Sequence, residues 1–371
     1  MADIRVTFSN LLHFSQQVFM KLGMNEKDAF IAADVLVRAD YRGIPSHGVQ
    51  RLRRYYNGIQ DGIIIPDARP EVSKEGPVYV WMDGKHAMGQ VAAFETMEKV
   101  IDKALKNGMA IGSTYNSNHY GYAGHYALMA QEKGLIGFSL TNSAPLVVPT
   151  YGKQSVLGTN PISMAVPTRR NRPFVMDFAT SIVARGKIEM YKKWGEQLPE
   201  NWAVNEHGEV CIDPARVLKN LAERLGGGIL PLGGAGEKFG GHKGYGLTMM
   251  VDILTGVLSG AHFSIKVASK AHAKPGEKPY HNVGHFFMAF DPDIFVGKEE
   301  FMDRMDELID IVKHSEKAKG QNRIYIHGEK EFEKMDEFDR DGIPIIEKVY
   351  LDMKDIGDTL GVEFPEFTEE K

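Results

Sequence analysis

Apolar residues recur along the chain at two spacings, and the alternation between them outlines the fold. Leu11, Leu12, Phe14, Val18 and Phe19 follow the helical spacing and stop near Gly23. Asn25 then offers an N-cap, with Glu26 and Asp28 in the first turn of a second helix that carries Phe30, Ile31, Ala33, Val35 and Leu36 to about Tyr41. Gly43 and Pro45 break it, and Ser46 is placed to cap a third helix. The Gly- and Pro-rich stretch 58–75 reads as a linker. Beyond it, short apolar runs at 78–82, 109–115, 135–141, 162–166, 174–177 and 283–290 read as strands. Helical patterns at 90–106, at 122–133 and through Lys187 and Tyr191 separate several of them. Residues 199–214 read as irregular, 230–246 as a glycine-rich loop feeding an apolar helix over 247–258, and 266–279 as a polar loop.

Two more helices are expected near the end. One spans 298–317 with Phe301, Met305, Leu308, Ile309 and Val312 inward. The other is opened by Pro344, carries Ile345, Ile346, Val349, Met353, Ile356 and Leu360, and ends at Gly361. Between them, Arg323–His327 reads as a strand or extended run. Strands alternating with helices argue for an α/β sheet packed by helices.

Composition narrows the function more than the fold. The 371 residues suffice for two domains. A net charge of -5 argues against nucleic acid as the main partner. Asp and Glu gather in 299–310, 329–341 and 363–370, which read as solvated helix faces and a tail. The single Cys211 leaves no internal disulfide and no multi-thiolate metal site. No apolar run is long enough to span a bilayer, and the N-terminus lacks a signal-like apolar core, so a cytoplasmic protein is expected. The histidines lack metal-ligand spacing, and no Gly-x-Ser-x-Gly elbow is present.

Four segments carry candidate chemistry. His119 sits on the polar turn between the strand at 109–115 and the following helix, where a group that titrates near neutrality can exchange protons. The same turn residues, Asn116, Asn118 and His119, fit equally well as partners for turn backbone. His47, Arg51 and Tyr55 are spaced i, i+4, i+8, so a helix would put them on one face, either as a carboxylate site or as a solvated basic stripe beside Arg53 and Arg54. Asp177 ends a strand beside small hydroxyls. It suits a ribose or substrate hydroxyl, and helix capping falls more naturally to Thr180 or Ser181. The loop Leu230–Gly246, with Lys243, suits an anion at a helix N-terminus, although its glycine spacing matches no dinucleotide fingerprint and close helix packing explains it as well. Together these residues suit proton transfer to a carbonyl beside a carboxylate, near an anionic cofactor.

The segments also carry a resemblance. Arg42-Gly43-x-x-Ser46-His47-Gly48-x-x-Arg51, Asn116–Gly121, Thr141-Asn142-Ser143, Gly158–Pro161, Asp177–Thr180, Gly240–Gly246 and Gly328-Glu329 resemble, in order, the type-2 malate/L-lactate dehydrogenase family. The resemblance implies a non-Rossmann NAD(P)-binding α/β domain, 77–296, with a mixed sheet, and a helical domain from both chain ends, 1–76 plus 297–371. It also implies a homodimer whose cleft the partner completes. It implies NAD or NADP as cofactor and a small 2-hydroxy or 2-oxo acid as substrate; the histidine spacing gives no metal site. By the same resemblance His119 is the acid/base, and His47 and Arg51 line the substrate pocket, with Tyr55 beside them on the expected face. Ser143, Asp177, Phe178, Ala179, Lys243, Gly328 and Glu329 match cofactor contacts. Malate is the favoured substrate, its second carboxylate answered by Arg53, Arg54 or a partner residue. Lactate, sulfolactate, ureidoglycolate and a cyclic imine remain as alternatives, as do a non-catalytic metabolite-binding homologue and a metal-dependent hydrolase.

Overall fold

The computed structural model describes residues 4–268 and 278–364. Most of the polar loop expected over 266–279 therefore lies outside the described residues. The chain begins with β1 (Ile4–Val6), α1 (Phe8–Lys21), α2 (Glu26–Tyr41) and α3 (Leu52–Gln60). Asn25 caps α2 as expected, its side chain accepting the Asp28 N–H. Ser46 starts no helix: residues 45–51 form two 3-10 turns, Pro45–His47 and Val49–Arg51, because Gly48 interrupts the helical path with extended backbone.

The middle of the chain holds β2 (Glu71–Gly76), β3 (Tyr79–Asp83), α4 (Gly89–Asn107), β4 (Met109–Ser117), α5 (Gly124–Gln131), β5 (Ile136–Thr141), β6 (Ile162–Val166) and β7 (Phe174–Phe178). Then come α6 (Arg185–Trp194), β8 (Ala203–Val204), α7 (Pro214–Glu223), β9 (Gly228–Ile229), α8 (Gly241–Asp252) and β10 (Val283–Phe290). The chain ends with α9 (Lys298–His314), α10 (Glu329–Asp341), β11 (Ile343–Ile345) and α11 (Glu347–Leu360). Strand β2 is a correction to the expected linker. It is mostly exposed and forms the sheet edge, so it lacks the apolar alternation by which strands are recognised. Helix α7 was not expected either, although Asp213 caps it and Pro214 opens it. Pro344 lies in β11, which pairs with β1, and α11 starts only at Glu347.

The main sheet is mixed, in the order β2-β3-β4-β10-β5-β6-β7, with β3 and β4 parallel and every other pair antiparallel. One face packs on α4 and α5 through Val80, Met97, Val100, Tyr126 and Phe287. A second apolar cluster joins Leu140, Ile162 and Phe286 of the sheet to Val251 of α8. A third draws from both chain ends, bringing Leu11, Phe14, Val18 and Leu36 together with Phe338, Val349, Met353 and Ile356. Of the residues expected inward on α9, Ile309 is buried, but Leu308 is 53 % exposed. The helix is held instead by buried Asp306, which accepts the Arg170 and Asn171 N–H groups at 2.8 and 3.1 Å in the β6–β7 turn. No helix among the described residues is long and apolar enough to cross a membrane.

Candidate active site

The turn after β4 is built to hold one imidazole. Asn118 donates its amide to the carbonyls of His86 and Ala87 at 3.0 and 2.9 Å. Asn116, at φ 52°, donates its amide to Asp83 and its backbone N–H to the Asn282 side-chain oxygen. Gly89, at the start of α4, lets the turn approach: a Cβ there would lie 2.3 Å from the Asn118 carbonyl oxygen and 2.4 Å from that of His119. Asn118 thus serves local backbone, while the Asn116 side chain serves Asp83. His119 reaches beyond the turn. Its Nδ1 lies 2.7 Å from the Tyr55 hydroxyl, with the Gly121 N–H a long 3.4 Å away, and Nε2 makes no hydrogen bond among the described residues.

His47 stacks on His119 with centroids 5.7 Å apart and planes 12° from parallel. Burial, then the charges of Arg54, His47 and Arg51, hold the His119 pKa well below the ordinary imidazole range. Burial, then Arg51 and Arg54, bring His47 down to about 4. The free site therefore presents neutral imidazoles at neutral pH. Tyr55 is 1 % exposed, and burial pushes its phenol up to about 12, so it keeps its proton.

His47, Arg51, Arg54, His119 and Ser143 line one cavity of about 450 Å³. Tyr55 stands behind His119 and does not line it. Arg51 spends its Nε on the Ser46 carbonyl at 2.6 Å and pairs with no carboxylate among the described residues. Arg54 pairs with none there either. Arg53 points away, to Asp355 and the Asp352 carbonyl of α11. Sequence spacing offered Arg53 and Arg54 as equals; the structure brings only Arg54 to the cavity. Asn142, Thr159, Arg185 and Glu189 also line it. The first two lie in motifs read from the sequence, whereas the i, i+4 ion pair of Arg185 and Glu189 at 3.0 Å gave no signal there.

The remaining cofactor candidates are dispersed. Asp177 and Gly328 line a second cleft of about 240 Å³ with Arg42 and Lys330. Asp177 accepts the Gly124 N–H of α5 at 2.7 Å, and burial raises its carboxyl to about 6. The helix it serves is therefore α5, while α6 has Ala184 at its N-cap and no side-chain cap. Thr180 and Ser181 bond backbone carbonyls instead. Phe178 and Ala179 line neither cavity. Glu329 is held by Lys313, Arg323 and the Ile326 N–H. Lys243 is exposed near the start of α8. The N–H groups of His242 and Lys243 are used by Gly236 and Gly240, and a Cβ on Gly244 would lie 2.0 Å from the Leu232 carbonyl. Close packing therefore holds at Gly244, whereas a Cβ on Gly246 would meet nothing within 4 Å. No cluster of three or more metal-ligating side chains occurs among the described residues.

This geometry can be set beside known proteins. A family model described as malate/L-lactate dehydrogenase matches residues 6–354. The chain belongs to this family. It is 48 % identical over 360 residues to a malate dehydrogenase of Pyrococcus abyssi, covering 97 % of this chain and 96 % of that one. It is 38 % identical over 353 residues to an L-sulfolactate dehydrogenase of Methanocaldococcus jannaschii, covering 95 % and 96 %. The structure of malate dehydrogenase from Pyrococcus horikoshii OT3 superposes with a TM-score of 0.87 at 45 % identity, covering 98 % of this chain and 97 % of that one. Membership in the malate/L-lactate dehydrogenase family makes the chain an oxidoreductase of the 2-hydroxyacid dehydrogenase class. The family's motifs also interlock physically. Asn160 accepts the Ser143 N–H at 3.1 Å and donates to the Thr248 carbonyl of α8, while Thr248 donates to Thr180 at 2.9 Å.

Proposed function

We propose that the chain interconverts a 2-hydroxy acid, malate by preference, and its 2-oxo acid with NAD or NADP, using His119 as the acid/base. The observation that carries this reading is a ring nitrogen with no hydrogen bond among the described residues, in the same cavity as two guanidinium groups that pair with no carboxylate among those residues. When bound, the nicotinamide accepts or supplies the hydride at C2. The cavity suits such a ring: besides its cations it offers the Ser143 and Thr159 hydroxyls and the apolar sides of Pro161 and Val267. By family resemblance Ser143, Asp177, Phe178, Ala179, Lys243, Gly328 and Glu329 are the further cofactor contacts.

In oxidation His119 Nε2 takes the hydroxyl proton. In reduction the protonated ring returns it to the carbonyl oxygen, a contribution of roughly 10²–10⁴ in rate. The Tyr55 oxygen accepts Nδ1–H and stabilises the charged ring. Arg51 holds the carboxylate adjoining C2, and Arg54 the second anionic group of the substrate. A carboxylate-sulfonate substrate such as sulfolactate suits the same pair of cations. The reading includes a homodimer, a cytoplasmic setting, and a division of the chain into 1–76 with 297–371 and 77–296. Support for that division comes from the apolar cluster shared by both chain ends.

The test is NADH and NADPH oxidation with oxaloacetate, sulfopyruvate, pyruvate and a cyclic imine acid. Turnover of oxaloacetate is expected, and it should fall at least a hundredfold in His119→Ala with NAD(P)H binding retained. Wild-type turnover in that variant would remove His119 from the chemistry.

A further inference from the structure

Two of the residues assigned to the substrate pocket, His47 and Arg51, lie on a segment with little regular structure of its own. Two 3-10 turns meet at Gly48, and each supplies only short-range hydrogen bonds. The Val49 side chain is buried in the apolar cluster of the chain ends, and the hydrogen bond that ties its backbone to α2 comes from one carboxyl group. Asp40, in the last turn of α2, is 6 % exposed. Its Oδ2 accepts the Val49 N–H at 2.6 Å, at the junction between the two turns. Its backbone carbonyl accepts the Gly43 N–H at 2.8 Å, where the chain leaves α2. The carboxyl group also fills the space left by Gly48: a Cβ on Gly48 would lie 2.0–2.2 Å from all three carboxyl atoms. Gly48 has extended backbone that any residue adopts, so glycine is required there for room and not for conformation.

We propose that Asp40 is a positioning residue, which fixes the Pro45–Arg51 segment through Val49 and so sets where His47 and Arg51 stand in the substrate cavity. The proposal rests on the substrate roles given above to His47 and Arg51. Asp40 touches neither the cavity nor His119. Its effect on the reaction runs only through the segment it holds. Burial pushes the Asp40 carboxyl up to about 8, so at neutral pH it is a neutral acid that accepts one N–H. An asparagine amide has the same shape and the same acceptor, and that equivalence supplies a conservative variant.

The experiment compares Asp40→Asn, Asp40→Ala and Gly48→Ala with wild type in the full-length protein. Asp40→Ala leaves the buried Val49 N–H without a partner, and Gly48→Ala displaces the segment from the other side. Both should raise KM for the 2-oxo acid about tenfold to a hundredfold while kcat and the NAD(P)H dissociation constant change less than about threefold. Asp40→Asn should stay within about threefold of wild type in all three. Hydrogen–deuterium exchange gives a readout that does not depend on turnover. The Val49 amide should exchange at least tenfold faster in Asp40→Ala and at the wild-type rate in Asp40→Asn. If wild type turns over none of the oxoacids, the proposed function fails, and exchange alone decides the role of Asp40. Val49 protection unchanged in Asp40→Ala overturns the proposal. So does Asp40→Asn behaving like Asp40→Ala, or a loss confined to kcat. Should Asp40→Ala not fold, Gly48→Ala and Asp40→Asn carry the comparison.

Discussion

Replacing Tyr55 by Phe separates two roles that the sequence could not. On the expected helix face Tyr55 would touch substrate, and its loss would raise KM. In the structure its hydroxyl is 2.7 Å from His119 Nδ1 and outside the cavity, so its loss should act on the proton transfer. The magnitude follows from the charge on the ring. A hydrogen bond between neutral groups is worth about 0.5–1.5 kcal/mol net, and one to a charged group about 1.5–3 kcal/mol. The ring is neutral in the free site and becomes positive only as the proton moves. The charge-assisted bond therefore belongs mainly to the transition state and to the protonated ring. Its removal should lower kcat by roughly tenfold to a hundredfold and leave KM within about threefold. Phe keeps the ring that packs against Phe19, at a centroid distance of 6.3 Å, so stability should change little. Initial rates of NAD(P)H oxidation against oxoacid concentration measure both constants. A variant with kcat intact and KM raised would refute this reasoning and return Tyr55 to the substrate.

Two other perturbations address separate parts of the site. Arg54→Gln should raise KM for oxaloacetate at least tenfold and spare pyruvate, whereas Arg53→Gln should leave both unchanged, because Arg53 is committed to Asp355; equal effects of the two variants would remove Arg54 from recognition. His285 sits between Thr141 Oγ1 and Ser117 Oγ, each 2.8 Å away, and burial brings its pKa down to about 3. Its folded pKa lies below the unfolded value of about 6.5, so its stabilising contribution is present above that pH and is lost as pH falls toward 3. Between pH 7 and pH 5 wild type should lose about 2 kcal/mol more than His285→Gln in urea titrations, and parallel pH dependences would contradict the burial of a neutral ring.

Where local sequence decides local structure, the chain was legible. Asn25 announced α2 because an Asn side chain can accept a first-turn N–H, and β10 was plain because a strand in mid-sheet is apolar on both faces. The missed elements are those that tertiary context decides. Strand β2 is an exposed edge, held by β3 and not by its own burial. The stretch 45–51 has helical spacing in its side chains, but Gly48 must make room for a carboxyl group eight residues earlier. The spacing therefore gave the right residues for the wrong geometry: His47 and Arg51 reach the cavity from turns, and Tyr55 turns to His119. Arg53 and Arg54 could not be told apart for the same reason, since only the packing of α11 decides which one is engaged.

The residues proposed for acid/base chemistry and for anion recognition share part of their support. The turn that carries His119 is held from the sheet side by the Asn118 amide and the close approach at Gly89, while its ring meets the Tyr55 hydroxyl of α3. Arg51 ends the segment after α2, whose side-chain tether passes through Val49, whereas Arg54 lies on α3 next to Tyr55. The cations also tune the imidazole they accompany. Arg51 and Arg54 lower the pKa of His119 while the site is free, and on the proposed roles a dianionic substrate bound between them would cancel much of that field. Binding would thereby raise the proton affinity of the ring at the moment when the proposed oxidation requires it to take a proton.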